Sequence, residues 1–145
     1  MIRAITQADR DLFFALSDEF YHSAAVLHPV PREYYARSWD ELMRPNGYLE
    51  CFIFEVDGAP AGYALIAKTY SPEAGGPAIW LEELFVRAQY RSQGLGRAFF
   101  EYMQKNRPAA RYRLEVEPDN ARARALYEQL GYRELPYMQM VRDRE

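Results

Sequence analysis

Leu84-Phe85-Val86-Arg87-Ala88-Gln89-Tyr90-Arg91-Ser92-Gln93-Gly94-Leu95-Gly96-Arg97 reads as a strand that runs through a short loop into a helix. Gly94 and Gly96 stand where that helix begins, and Leu95, Phe99 and Tyr102/Met103 then share one face as far as Asn106. Two glycines so placed let the backbone approach a ligand closely. The helix start beyond them offers unpaired N–H groups and the positive end of a dipole. The segment has the form of a phosphate cradle, a form it shares with a plain tight turn capping a helix. Two nucleotide-binding loops are excluded. A Walker loop needs Gly-Lys-Ser/Thr, and a dinucleotide fingerprint needs a third glycine where Phe99 stands, with an acidic residue about 20 positions on.

Upstream, Ala78–Val86 is a strand candidate reached through a Gly/Pro loop, Ser71–Pro77. Before it, Leu49–Val56 and Ala59–Thr69 are apolar-rich runs joined at Asp57-Gly58, a hairpin signal. The chain opens with a short strand, Ile2–Ile5. Thr6-Gln7-Ala8-Asp9 follows with the form of a capping box, ahead of a helix whose Leu12, Leu16 and Phe20 recur every four residues. Pro29 and Pro31 interrupt, and Glu33–Met43 reads as a second helix closed by Pro45-Asn46-Gly47. Downstream, Tyr112–Val116 is a strand and Asn120–Leu130 a helix with Ala123, Leu126, Tyr127 and Leu130 on one stripe, stopped by Gly131. Tyr132–Glu134 and Met138–Val141 are expected to complete the sheet. The order predicts an α/β (α+β) fold: a mixed, mostly antiparallel sheet of six to seven strands flanked by about four helices.

The 145 residues suit one domain, 1–145, and 49% hydrophobic with 27% charged residues is a globular composition that excludes wholesale disorder. The longest nearly uncharged apolar run, around Tyr63–Ala67, is far short of the roughly 18 residues of a membrane-spanning helix. Met1-Ile2-Arg3-Ala4-Ile5 lacks the zones of a signal peptide, so a cytoplasmic location with no membrane partner is expected. One cysteine, Cys51, and two histidines make neither an internal disulfide nor a zinc spacing, and no metal is expected. Net charge is −3, but residues 1–83 carry 13 acids against 6 bases, whereas residues 84–145 carry 8 against 12. Such polarity suits an anionic ligand on the second half and a cationic one on the first; a solvated surface produces it too. Overall acidity argues against nucleic acid.

Arg91-Ser92-Gln93-Gly94-Leu95-Gly96, preceded by Glu-Leu-Phe-Val, resembles the acetyl-coenzyme A motif Arg/Gln-x-x-Gly-x-Gly/Ala of the GNAT N-acetyltransferases. Asn120-Ala121-Arg122-Ala123-Arg124-Ala125-Leu126-Tyr127-Glu128-Gln129-Leu130-Gly131-Tyr132 resembles the family's later motif, at the usual distance and on the expected helix. The likeness covers roughly 79–132. Ser92 departs from it, since many members have glycine there, and so does Arg87-Ala88, where a proline is common. The resemblance implies a GNAT-like fold, acetyl-CoA as co-substrate, and direct attack by a primary amine in a ternary complex. The acidic first half points to a cationic small molecule as acceptor, with a protein or peptide amine, or a non-catalytic acyl-CoA-binding module, as the alternatives. Family members often pair, so a homodimer is among the expectations.

The roles below are likewise implied by the resemblance. The backbone of Leu84, Phe85 and Val86 pairs with the pantetheine arm like an added strand, and an N–H there faces the thioester oxygen. The N–H groups of Ser92, Gln93, Gly94, Leu95, Gly96 and Arg97 bind the pyrophosphate, and Arg91 and Arg97 supply charge. Asn120 and Ala123 flank the cofactor at the start of the next helix, where Asn120 also fits a plain N-cap. Tyr127 matches the tyrosine that protonates the departing thiolate, though its place on an apolar stripe also fits a core aromatic. Glu82 and Glu83 interrupt an apolar strand just before the thioester position, and strict alternation would send them to opposite faces. Leu81-Glu82-Glu83 resembles the Leu-Glu-Asp of the diamine (spermidine/spermine) branch, whose first acid binds the polyamine. That favours Glu82 as the acceptor-side catalytic carboxylate, with Glu83 as the other substrate-binding candidate. His22 and His28 flank the break between the first helices. Tyr21, Tyr34, Tyr35 and Trp39 form either an aromatic wall for a cation or part of the core.

Overall fold

The computed structural model describes residues 1–144. The chain runs β1 (Ile2–Ala4), α1 (Arg10–Tyr21), α2 (Glu33–Met43), β2 (Leu49–Val56), β3 (Ala59–Ser71), β4 (Gly76–Val86), α3 (Leu95–Asn106), β5 (Arg111–Leu114) and α4 (Ala121–Gln129). The strands form one sheet in the order β1-β2-β3-β4-β5, antiparallel throughout except for the parallel pair β4–β5. The α+β class and the four helices match the expectation from the sequence.

The strand count does not: among the described residues there are five, not six or seven. Tyr132–Glu134 and Met138–Val141 carry no strand pairing. Pro136 lacks the N–H a ladder needs, and Met138, Met140 and Val141 all point to solvent, so no buried face holds a register.

Local chemistry sets the other boundaries. Before α1, the Asp9 carboxylate accepts the Thr6 N–H at 2.8 Å, the Thr6 hydroxyl at 3.1 Å and two Arg3 guanidinium N–H groups at 2.8 and 2.9 Å. The Arg3 pair holds the Asp9 carboxyl down at about 2 and ties the entry of α1 to β1. At the β2–β3 turn, Asp57 and Gly58 both take positive φ (52° and 78°), the combination that a two-residue hairpin with matching twist requires.

The sheet separates two cores. Cys51, Ile53, Tyr63, Leu65 and Phe85 face α1 and α2, where Phe13, Leu16, Phe20, Tyr35 and Trp39 pack on them. Phe52, Phe54, Ala64, Ile66, Ile79 and Leu81 face the other way, onto Phe99, Phe100 and Met103 of α3, with Tyr127 of α4 and Leu130 just after it at the margin. Strand β4 changes sides partway. Leu65 of β3 pairs with Glu83 and Ile66 with Leu81, so Glu82 is an extra residue with no β3 partner. Across this bulge the parity inverts: Ile79 and Leu81 face α3, whereas Phe85 faces α1 and α2.

Candidate active site

The parallel β4–β5 ladder is short, pairing Ala78–Leu81 with Arg111–Leu114. Beyond Leu81, β4 continues to Val86 on β3 alone, and its other edge has no strand partner among the described residues. The bulge at Glu82 falls where the two strands part. A cleft opens there, with the backbone of Leu84, Phe85 and Val86 along one wall. An extended ligand could add to this edge as a strand does.

The cradle lies at the outer end of that wall. Ser92 (φ 65°) and Gly94 (φ 78°) both adopt left-handed backbone, turning the chain so that α3 begins at Leu95. Ala98 N–H is the first of the helix to bond back, to the Gly94 carbonyl at 2.9 Å. The N–H groups of Leu95, Gly96 and Arg97 precede it and are the donors a helix start leaves over. A Cβ on Gly94 would meet nothing within 4 Å, so the space above the turn is open. A Cβ on Gly96 would only touch Leu84 and Leu126 side chains at 3.8 and 3.9 Å. Open space over glycine N–H groups at a helix start fits a pyrophosphate.

Side chains around the cradle are tied together. Arg122 donates to the Ser92 hydroxyl at 2.9 Å and Arg97 to Gln129 at 2.8 Å, so both arginines link α4 to the turn and α3. Arg91 donates to the Val86 carbonyl at 3.0 Å, and Gln93 is exposed. Asn120 is the N-cap of α4, its side chain accepting the Ala123 N–H at 3.1 Å. That bond leaves the Asn120 amide group, rather than the Ala123 N–H, free toward a ligand.

Tyr127 lies half-buried on the face of α4 that packs on α3, edge-on to Phe100 (5.6 Å) and near Tyr132 (6.2 Å). Burial pushes its phenol above the ordinary value. Beside it, the Tyr132 hydroxyl is buried without a hydrogen-bond partner and is pushed up to about 12.

The two glutamates differ sharply. Glu82, exposed at the bulge, has its carboxyl raised by partial burial, then by the negative charges of Glu115 and Glu83. Glu83 is sunk between the sheet and α1. Its carboxylate accepts the Tyr21 hydroxyl at 2.5 Å on one oxygen and the Tyr63 hydroxyl at 2.6 Å on the other. Burial raises the carboxyl and the two phenols pull it back down. No basic side chain of the described residues pairs with either glutamate. Strict alternation to opposite faces is thus replaced by the bulge, whose extra residue is Glu82 itself.

The remaining candidates fall apart from this centre. Tyr35 and Trp39 are core, while Tyr21 stacks on Tyr35 at 5.8 Å and reaches Glu83, and Tyr34 is exposed. His22 and His28 are exposed, and His22 turns to the Asp18 carbonyl at 2.8 Å. The Cys51 thiol is buried and pushed up by that burial, which makes it inert. Two residues, Tyr63 and Arg87, make contacts at the site for which the sequence reading assigned them no role. Tyr63 and Tyr21 clamp Glu83, and Arg87 joins the end of β4 to α1 through Glu19 at 2.8 Å. Tyr63 alone left a trace, a phenol in an otherwise apolar strand. Among the described residues there is no group of three or more potential metal ligands and no helix long and apolar enough to cross a membrane.

The model of the acetyltransferase (GNAT) family matches residues 10–132. Thialysine N-epsilon-acetyltransferase of Bos taurus is 30% identical over 112 residues, 66% of this chain and 65% of that protein. The Mus musculus counterpart aligns at the same identity. The chain thus spans just under two thirds of the length of these curated relatives. Among solved structures, a possible acetyltransferase from Clostridium difficile 630 superposes with a TM-score of 0.82 at 18% identity, covering 100% of this chain and 97% of its own. AAC(6')-Iy in complex with the bisubstrate analog CoA-S-monomethyl-acetylneamine superposes at 0.79 and 20% identity, covering 99% and 97%. These likenesses show the fold, and the family model spans both the cradle and α4; the chain belongs to the acetyltransferase (GNAT) family.

Proposed function

We propose that this protein is an acetyl-CoA-dependent N-acetyltransferase whose acceptor is a small primary amine, cationic in solution. The observation that carries the reading is the open β4 edge, running from a glycine-turned helix start to two acidic side chains without a basic partner. Acetyl-CoA, when bound, supplies the acetyl group as a thioester. The Leu84–Val86 backbone binds the pantetheine arm, with one N–H toward the thioester oxygen. The Ser92–Arg97 N–H groups, Arg91 and Arg97 take the pyrophosphate, and the Asn120 amide and the start of α4 at Ala123 flank the cofactor.

Glu83 acts as a fixed negative charge, immobilised by two phenols, that attracts the ammonium. An alkylamine with pKa near 10.4 arrives protonated, and Glu82 takes its proton and passes it to water. Burial and the charges of Glu115 and Glu83 raise the Glu82 carboxyl, which makes it a stronger base than an ordinary glutamate. As the N–C bond forms and the C–S bond breaks, Tyr127 gives its phenolic proton to the thiolate and is reprotonated by solvent. The nitrogen then sheds its second proton, so that one proton is released per turnover.

Acceptor-dependent release of free thiol from acetyl-CoA tests the reading across polyamines, amino acids, aminoglycosides and short peptides. Release with small amines is expected. Release with peptides alone would move the acceptor to a protein, and acetyl-CoA binding without release would make the chain a sensor module. A cytoplasmic location and pairing of two copies go with this reading, and fractionation and light scattering check them.

A further inference from the structure

Next to the cleft, on the sheet face that carries Glu83, lies a groove of about 390 Å³ lined by β3, β4, β5 and the segment after α4. Its floor includes Thr69, Ser71, Ala78 and Trp80, and Arg111 and Arg113 form its β5 side. Register places it relative to the acids. Glu83 pairs with Leu65 and Trp80 with Ala67, so the two lie about 7 Å apart along the sheet. Arg113 pairs with Trp80 and lays its guanidinium over the indole at 4.2 Å. The last rung before the strands part, Leu81 with Leu114, separates this pair from the cleft.

Charge in the groove is divided unevenly. Glu73 is engaged by Arg111 at 3.5 Å and by the Tyr137 hydroxyl at 3.1 Å. Arg113 has no carboxylate within ion-pair distance among the described residues and spends its guanidinium on Trp80 alone. With its guanidinium carbon 4.2 Å over the indole and no hydrogen-bond partner among the described residues, Arg113 keeps N–H groups that can receive a carboxylate through two parallel bonds. The surface therefore runs from an acidic end at Glu82, Glu83 and Glu115 to a basic end at Arg113, over one short stretch of sheet.

We propose that the acceptor carries a carboxylate as well as the amine, with Arg113 receiving the carboxylate while the acidic end receives the ammonium. The class is that of ω-amino acids with about five carbons between the two groups, which span this distance when extended. This deepens the transferase reading and rests on it for the ligand's role as acceptor. A polyamine, cationic at both ends, would bring its far charge against Arg113 and be disfavoured.

The test pairs 6-aminohexanoate with 6-aminohexanamide, which differ only in the carboxylate charge. Binding is read by tryptophan fluorescence in the presence of CoA, and turnover separately by thiol release. Wild type should bind the carboxylate compound about tenfold more tightly, the effect of one charge-assisted pair, and Arg113→Gln should erase the difference while leaving the amide's affinity unchanged. Equal binding of the two by wild type, a preference that survives Arg113→Gln, or no binding of either overturns the proposal. A preference that depends on Arg113 without thiol release from any acceptor would leave the groove standing and sink the transferase reading instead.

Discussion

The two faces of the sheet are built by opposite rules. On the α3/α4 face, the candidate cofactor site is mostly backbone: an unpaired strand edge, two positive-φ residues and a helix start, contiguous from Leu84 to Arg97. On the α1/α2 face, the candidate acceptor site is mostly side chain, with Tyr21 from α1, Tyr63 from β3, the glutamates from β4 and Arg113 from β5. A backbone site tolerates many side chains and breaks when φ or close approach is lost. A side-chain site keeps its backbone and changes its chemistry with one substitution. The contrast suits a shared donor and an acceptor particular to this chain.

The contrast is broken most severely at Glu82. Glu82→Gln should lower kcat by about 100-fold, the usual contribution of a general base, with KM for acetyl-CoA unchanged. Stopped assays against acetyl-CoA and amine separate the two, and an unaltered kcat would pass the role to Glu83. The same pair of faces predicts a pH effect of known sign. The Glu82 carboxyl is raised, so kcat/KM should fall on the acid side as it protonates. Because the Glu115 charge helps raise it, Glu115→Gln should lower that pKa and carry the acid limb to lower pH; a limb moving upward would contradict the assignment.

Tyr127→Phe comes next, with kcat reduced about tenfold. Phenylalanine keeps the packing against Phe100 and Tyr132, so the melting temperature should stay within a degree or two. Full turnover in this variant would reduce Tyr127 to a core aromatic.

Gly96→Ala sharpens the backbone side. The added methyl makes only ordinary contacts and sits in a helix, so thermal denaturation should show a gain of up to about 1 kcal/mol. KM for acetyl-CoA should nevertheless rise severalfold, as the proposed seating of the pyrophosphate on this helix start requires. Unchanged KM would detach Gly96 from the cradle. The smallest effect is expected at Ser92. Ser92→Gly removes a left-handed serine that costs about 1 kcal/mol, but it also removes the Arg122 bond and loosens the unfolded chain. These offset one another, and a shift in melting temperature beyond a few degrees would show that one dominates.

Much of this was legible before any fold was known. Leu12, Leu16 and Phe20 at fourfold spacing, Asp57-Gly58 between apolar runs, and Gly94 before a periodic helix each state a local preference, and each is met. The cradle was legible for the same reason, since a contiguous backbone motif is written in consecutive residues. Two strands expected after α4 did not form, because a short apolar run signals a strand only where a partner and a buried face receive it.

The sequence by itself determined the order of the four helices and of all five strands: which faces are apolar, where turns fall, and where a glycine-turned helix start stands. Tertiary structure alone decided which way the acids point. One extra residue at Glu82 inverts the parity of β4, and parity is a property of pairing with β3 that no local pattern contains. It alone brought Tyr21 and Tyr63, 62 and 20 positions away, onto the carboxylate of Glu83, and laid Arg113 on Trp80. Contacts of that kind depend on where strands lie in the sheet, and that follows from the burial of the whole chain.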